Sequence, residues 1–136
     1  MENSTFQFDN FKILRSLFEL NENAEVGELS VGFKSEGKLD FDKGKFNLGL
    51  GIFISDSAET IKIEIDAIGY FSFENLERES LSNFLFINAP AILFPYLRAY
   101  ISSLTTLSGI RPIVLPTLNL TSLREDLESN VEEVSL

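Results

Sequence analysis

The stretch APAILFPYLRAYISSL, residues 89–104, decides the fold of the second half of the chain. Its apolar residues recur at spacings of three and four, which indicates a helix. Asn88 fits an N-cap and Pro90 fits a first turn, where a missing N–H costs little. Pro95 lies deeper and should kink the helix or delay its start. Because the apolar stripe extends back to Leu81, we predict a long helix over about residues 80–108.

The first half of the chain alternates apolar and polar residues with a period of two, which is typical of half-buried antiparallel strands. Four runs show it: STFQFDNFKILRSLFEL at 4–20, GELSVGFKSE at 27–36, GKFNLGLGIFIS at 44–55 and ETIKIEIDAIGYFSF at 59–73. The first run slips near Asp9 and Asn10, where we expect a bulge. The sequence therefore predicts four strands over about residues 5–73, joined by short connections as in a meander.

Downstream of the long helix, GIRPIVLPTLNL at residues 109–120 carries two prolines four residues apart and reads as an extended connection. We predict a loop over 109–118 and a last, acidic helix over about 119–133. The fold class that follows is α+β: a four-stranded antiparallel sheet, a long helix, a proline-bearing loop and a C-terminal helix in one domain, residues 1–136.

Composition excludes several functions. The chain has no His and no Cys, so thiol nucleophiles, His bases and His or Cys metal sites are impossible, and we predict neither an enzyme nor a cofactor. The run DFDKG at residues 40–44 is a fragment of a calcium-loop spacing without its later ligands, so a hairpin turn without metal is favoured.

Charge and hydropathy constrain the partners. The net charge of -10 disfavours nucleic acid. No apolar run reaches the ~18 residues that span a bilayer, so we predict no stable membrane insertion. The absence of cysteine and of a signal-like start favours the cytoplasm. The stripe from Leu81 to Leu107 exceeds what one sheet face needs, which leaves two interpretations open: a subunit interface, or a groove for apolar ligands.

The block ILFPY at residues 92–96, followed by Arg98, resembles the most characteristic segment of the SecB export chaperones. Three further features agree: the P-x-x-N spacing at 116–119, GYFSF at 69–73 and TFQF at 5–8. The resemblance implies an ATP-independent holdase that binds unfolded or precursor polypeptides in a hydrophobic groove. It also implies a homotetramer, built as a dimer of dimers.

The resemblance implies roles for individual residues. The client groove would be lined by Leu29, Val31, Phe33, Ile113, Leu115, Leu118, Leu120, Leu123 and Leu127. Tetramer contacts would come from Leu93, Tyr96, Leu97, Tyr100, Ile101 and Leu104. Glu19 and Glu64 would dock on the translocation ATPase SecA, although Arg15 and Lys62 depart from the family pattern there.

Three hypotheses follow. The first is a holdase that also delivers its clients for export. The second is a dedicated chaperone of one antitoxin or other partner, since SecB-like proteins also occur in toxin–antitoxin systems. The third is an oligomeric carrier of a small hydrophobic ligand, without chaperone activity.

Overall fold

The sheet contains the long strands that alternation predicts. The computed structural model describes residues 3–116 and 120–136. Its long strands are β1 (Thr5–Leu20), β2 (Leu29–Asp40), β3 (Lys45–Asp56) and β4 (Ile61–Glu74). They lie in the order β1-β4-β3-β2 and pair antiparallel throughout. The predicted meander was therefore wrong for β1, which pairs with β4 and not with its neighbour in the chain, β2. The turn predicted at residues 40–44 joins β2 to β3, and Gly44 adopts a φ of 65° there.

Strand β1 carries two bulges against β4. The register shifts between Phe8 and Asn10, at the predicted slip, and again between Ile13 and Arg15. Each extra residue shifts the alternation by one position, so that the apolar residues on both sides of the bulge face the core. Leu14, the extra residue of the second bulge, is 63% exposed on the outer side of the fold.

A fifth strand, β5 (Val131–Glu133), pairs parallel with residues 37–39 of β2. The sequence analysis was wrong on this point, because it predicted four strands and continued the last helix to about residue 133. That helix, α3 (Leu120–Ser129), ends at Ser129. The side-chain amide of Asn130 donates to the carbonyls of Asp126 and Ser35, which joins the end of α3 to the sheet.

The long helix runs without interruption over Arg78–Leu107. It comprises α1 (Arg78–Asn83), a π-helical turn (Phe84–Asn88) and α2 (Ala89–Leu107). Asn88 has helical dihedrals, so its predicted role as N-cap was wrong; the extended cap residue is Glu77. The N–H of Ala89 donates to the carbonyl of Phe84, five residues back. This wider turn immediately precedes Pro90, which has no N–H to offer.

Pro95 lies inside α2 on its exposed side. Of the two effects predicted for Pro95, a kink or a delayed start, the delayed start was therefore wrong, because the helix already begins at Arg78. Its ring removes one intrahelical hydrogen bond on the solvent side, where water can serve the freed carbonyl.

The core lies between the inner face of the sheet and the helices. Leu93, Leu97 and Ile101 of α2 are fully buried in one cluster with the inward residues of β3 and β4. Burial of each such side chain contributes about 1.5–3 kcal/mol. One face of α2 is therefore fixed against its own sheet.

One helix among the described residues, Arg78–Leu107, is long and apolar enough to cross a membrane by length and composition alone. The sequence analysis considered only uninterrupted apolar runs and did not find it. Its 18-residue window has a mean hydropathy of 1.4 and is 39% buried inside the fold. Core helices of globular domains meet the same criterion, and α2 packs on the sheet, so this observation is weak support for a membrane span.

Candidate functional site

Strand β2 presents an open edge over residues 29–33, which we call the open span. Farther along β2, the N–H of Gly37 and the carbonyl of Leu39 point away from β3 and bond to Asn130 and Val134. The β2–β3 register has no shift, so the backbone groups of residues 29, 31 and 33 point the same way. No described strand pairs with this span. It is therefore a row of donors and acceptors available to another extended chain.

The same three residues place apolar side chains beside this edge. Leu29, Val31 and Phe33 are half-buried and pack against the core. The Phe33 ring meets the Phe94 ring of α2 edge to face, with centroids 5.9 Å apart. Because these residues alternate with exposed ones, their apolar side chains lie on the inner face of the sheet, next to the free backbone groups of the edge. We call this combined surface the groove.

The other predicted groove residues divide into two groups. Ile113, in the loop after α2, is half-buried and packs on the core cluster, so it can line a groove. Leu115, Leu123 and Leu127 are at most 5% exposed and belong to the core itself. They can support the groove wall but offer little surface to a ligand. Leu118 and the side chain of Leu120 lie outside the part of the chain that the structure describes.

A polar clamp of Ser35, Asp126 and Asn130 closes the open span at one end. The backbone N–H and the hydroxyl of Ser35 both donate to Asp126 Oδ2, at 2.9 and 2.8 Å. Asn130 Nδ2 donates to the Ser35 carbonyl at 3.2 Å. Asp126 near the end of α3 and Asn130 just after it thus satisfy the N–H and the carbonyl of Ser35, which would otherwise be free at the edge.

Three of the six predicted interface residues are not accessible. Leu93, Leu97 and Ile101 are 0% exposed within the chain's own fold, so no partner can reach them while the protomer stays folded as described. The apolar stripe of the helix is wide, and the residues at its centre pack against the sheet, which leaves only the residues at its sides for a partner.

The other three interface residues lie on the sides of α2. Tyr96 is 45% exposed, and its ring centroid lies 5.3 Å from that of Phe8 and 5.0 Å from that of Phe11 in β1. Tyr100 donates its hydroxyl to Ser16 Oγ at 2.8 Å, and Leu104 is half-buried. Both tyrosines thus border β1, whose outer edge is unpaired among the described strands.

The outer sheet face is balanced in charge rather than uniformly acidic. Arg15 Nη1 donates to Glu64 Oε2 at 2.7 Å, and Lys62 Nζ lies 3.7 Å from Glu64 Oε1. The hydrogen bond from Arg15, together with the nearby Lys62, lowers the pKa of Glu64. Glu19 is exposed and lies opposite Lys62 in the register. The two predicted docking carboxylates therefore stand among cations.

The sequence analysis missed two exposed apolar residues, one at the end of the long helix and one in the loop that follows it. Leu107 is 87% exposed and Val114 is 65% exposed, at either side of the half-buried Ile110 and Ile113. The repeated apolar residues around Pro112 contained this signal. The polar clamp was missed as well, although Asp126 and Asn130 stand one helical turn apart.

The described residues around the groove include no cluster suited to a metal ion. Within residues 3–116 and 120–136, no group of three or more His, Cys, Asp or Glu side chains is arranged to hold a metal ion. The described part of the groove offers apolar contact and backbone hydrogen bonding, which suits a polypeptide ligand.

Comparisons with known proteins agree with the fold. The family model described as preprotein translocase subunit SecB matches residues 28–129, from just before β2 to the end of α3. The SecB protein-export protein of Azoarcus is 28% identical over 112 residues, covering 79% of this chain and 74% of its own length. A SecB protein of Neisseria meningitidis is 30% identical over 100 residues, covering 70% and 68% respectively.

Two other relatives widen the comparison. An uncharacterized protein of Methanocaldococcus jannaschii is 27% identical over 135 residues, covering 93% of this chain and 87% of its own length. The solved SecB-like chaperone of Mycobacterium tuberculosis, in complex with an antitoxin peptide, superposes with a TM-score of 0.69 at 16% identity, covering 84% and 88%. That similarity establishes a common fold.

The family model covers three quarters of the chain, and the four long strands, the long helix and the last helix follow one another in the expected order, with β5 as the exception. The chain belongs to the SecB family, whose members are chaperones rather than enzymes.

Proposed function

We propose that this protein is an ATP-independent holdase that keeps unfolded or precursor polypeptides from aggregating. The observation that carries the proposal is the open span, where free backbone groups and the half-buried Leu29, Val31 and Phe33 border one groove. Every unfolded chain offers the same backbone pattern, so main-chain pairing gives affinity without a fixed sequence. Membership in a chaperone family argues against the carrier hypothesis.

The groove favours extended clients with alternate apolar residues. An added strand at the open span would place every second side chain beside Val31 and Phe33, against the ring of Phe94. The open span is five residues long, so each engagement is short and reversible. Because the affinity comes largely from the main chain, which all polypeptides share, the open span fits a broad client range.

The proposal includes a homotetramer assembled from two dimers in the cytoplasm. Tyr96, Tyr100 and Leu104 remain accessible on α2, and they border a 16-residue edge strand, β1. An unpaired edge of that length invites pairing with a second copy. Multiple grooves on one assembly would hold one long client at several points, which raises the overall affinity.

A matched pair of phenylalanines tests the groove. Phe33 lies on the inner face of β2, whereas Phe53 lies on the outer face of β3 beneath Lys34, and both are half-buried. We expect Phe33→Ser to reduce binding of an unfolded client roughly tenfold, on the scale of a lost aromatic anchor. Phe53→Ser should bind as the wild type does.

The assay is suppression of aggregation of a chemically unfolded client by a molar excess of the chaperone, without nucleotide. Circular dichroism verifies that both variants fold. If wild-type protein leaves aggregation unchanged, the holdase proposal fails. If Phe53→Ser weakens suppression as much as Phe33→Ser, the client binds on the outer face of the sheet instead.

A dedicated partner is the second candidate, favoured by the structural similarity to a chaperone solved with an antitoxin peptide. It predicts tight binding of one peptide and weak binding of unrelated unfolded chains. A peptide array that returns many sequences of similar affinity would exclude it. Delivery for export is a further part of the first candidate. Docking through Glu64 would have to compete with Arg15 and Lys62, so a Glu64→Gln variant should change translocase binding little.

A further inference from the structure

The tail, residues 130–136, occupies the edge of β2 that continues the open span. The N–H of Gly37 donates to the carbonyl of Asn130 at 3.1 Å, and the N–H of Val134 donates to the carbonyl of Leu39 at 2.8 Å. Between these two bonds, β5 runs parallel to β2. The tail is therefore a polypeptide segment bound by strand addition in the way proposed for a client.

Side chains fix the tail at defined positions. The half-buried Val131 sits over Gly37, where an added Cβ would lie 3.1 Å from Val131 Cγ2. Glu133 forms an ion pair with Arg78 at the start of the long helix. The N–H of Leu136 donates to Asp40 Oδ2 at 2.8 Å. The site therefore accepts a β-branched residue in a space that only a glycine leaves, with extended backbone on both sides.

The tail and the open span lie on one continuous edge. Residues 29, 31 and 33 direct their backbone groups to the same side as Gly37 and Leu39, and only the polar clamp at Ser35 separates the two parts. Asp126 and Asn130 of that clamp belong to the end of α3 and to the tail. Release of the tail and the clamp would extend the free edge from residues 29–33 to residues 29–39.

We propose that residues 37–39 of β2 are a second polypeptide-binding site, and that the tail is its resident ligand, displaced by a client strand. The ligand class is an extended segment that places a valine, isoleucine or threonine over Gly37. Short or weak segments engage the open span alone, whereas longer ones replace the tail and gain the full edge. The inference rests on the proposed holdase function. The family-model match ends at residue 129, before the tail strand begins.

Amide hydrogen exchange of the full chain, followed by NMR, tests displacement directly. The probe is reduced, carboxymethylated α-lactalbumin, a chain that cannot refold. At saturating probe we expect the Val134 amide to lose its protection while the Gly37 amide keeps it, because the client carbonyl takes the place of Asn130. Continued protection of the Val134 amide in the bound state would overturn the inference.

A proline pair tests the same point through affinity. Val134→Pro removes the donor to Leu39, whereas Ser135→Pro removes an N–H that donates to no backbone carbonyl among the described residues. Loss of one such bond corresponds to about a fivefold shift of the tail equilibrium. We therefore expect Val134→Pro to bind the probe about fivefold more tightly, since a competing ligand is weakened. Ser135→Pro should match the wild type.

The outcomes separate the two proposals. If the probe binds all three proteins with equal affinity and the Val134 amide stays protected, the holdase proposal stands and the second site is refuted. If none of them binds the probe, the holdase proposal fails and the second site fails with it. The exchange measurement uses the wild-type chain, so it decides even if Val134→Pro does not fold.

Discussion

Replacement of Gly37 by alanine tests the close packing of β2, Phe46 and the tail. A Cβ built on Gly37 would lie 2.7 Å from Phe46 Cε1 and 2.9 Å from its Cζ. Phe46 is fully buried, so its ring cannot turn into solvent. The same Cβ would lie 3.1 Å from Val131 Cγ2. One methyl group therefore presses on the core on one side and on the tail on the other.

The expected cost follows from overpacking. Ordinary carbon contacts lie near ~3.5–4.0 Å, so the Phe46 ring must move by almost an ångström or the strand must shift. Insertion of a methyl group into a packed core costs about 1–3 kcal/mol. Restriction of the unfolded chain by alanine recovers about 0.4–1 kcal/mol of this. We expect Gly37→Ala to lower the free energy of unfolding by about 1–2 kcal/mol.

Gly32→Ala is the matched control on the same strand. Its Cβ would meet only Phe53 Cδ2, at an ordinary 3.9 Å, and Gly32 is exposed. This variant should be as stable as the wild type or slightly more so. Urea denaturation followed by far-ultraviolet circular dichroism measures both, at one fixed protomer concentration because association would add to the apparent stability.

Two results would refute this reasoning. Equal stability of Gly37→Ala and Gly32→Ala would mean that Phe46 relaxes without cost. A double variant, Gly37→Ala with Val131→Ala, should recover only the part of the loss that comes from the tail. Full recovery would show that Phe46 does not contribute and that the tail alone is strained.

Three further predictions concern the helix, acid stability and the outer sheet face. Leu97→Asp should unfold the protomer because Leu97 is fully buried. Tyr96→Asp should leave the protomer folded and reduce only the oligomer mass measured by light scattering. A folded Leu97→Asp variant would contradict the assignment of Leu97 to the core. Asp56 accepts hydrogen bonds from backbone amides, above all that of Gly27, and these bonds lower the pKa of Asp56 below the ordinary 3.8. The ionised Asp56 therefore contributes stability above pH 3.8, and this contribution is lost as the pH falls through the lowered pKa. Asp56→Asn should therefore flatten the dependence of unfolding free energy on pH below about pH 4, and an unchanged slope in denaturant titrations would assign the effect to another carboxylate. Arg15→Gln should raise the pKa of Glu64 toward its ordinary value in an NMR titration, and an unshifted pKa would show that Arg15 does not set it.

The sequence predicted the long strands well because burial there depends on local alternation. In β3 and β4 every second residue faces the helices, so the hydropathy of the sequence alternates with a period of two. Strand β5 could not be found this way. It has three residues, and its pairing depends on Gly37, almost a hundred positions away. The helix begins at Arg78, within two residues of the predicted start, whereas the N-cap predicted at Asn88 was wrong because the π-helical turn continues the helix through that position.

The site was predictable in part, for a related reason. Alternation placed Leu29, Val31 and Phe33 on the inner face, and the edge position of β2 leaves them half-buried. The helical stripe gave no way to distinguish Leu97 from Tyr96, although one is fully buried and the other is 45% exposed. A periodic pattern identifies the apolar face of an element, while the neighbour that covers it decides which residues stay accessible.

Structural features at the two edges of the sheet limit uncontrolled strand pairing between copies of the chain. An open edge recruits any extended chain, including other copies of the same protein. Along β2 the tail and the polar clamp cover all of the edge beyond residue 33, which leaves a span of only five residues. Along β1 the two bulges interrupt a flat edge, and the net charge of -10 opposes random association. Under the proposed function, a span this short would bind one segment weakly, so strong retention of a client would require either several grooves in one assembly or release of the tail to lengthen the edge.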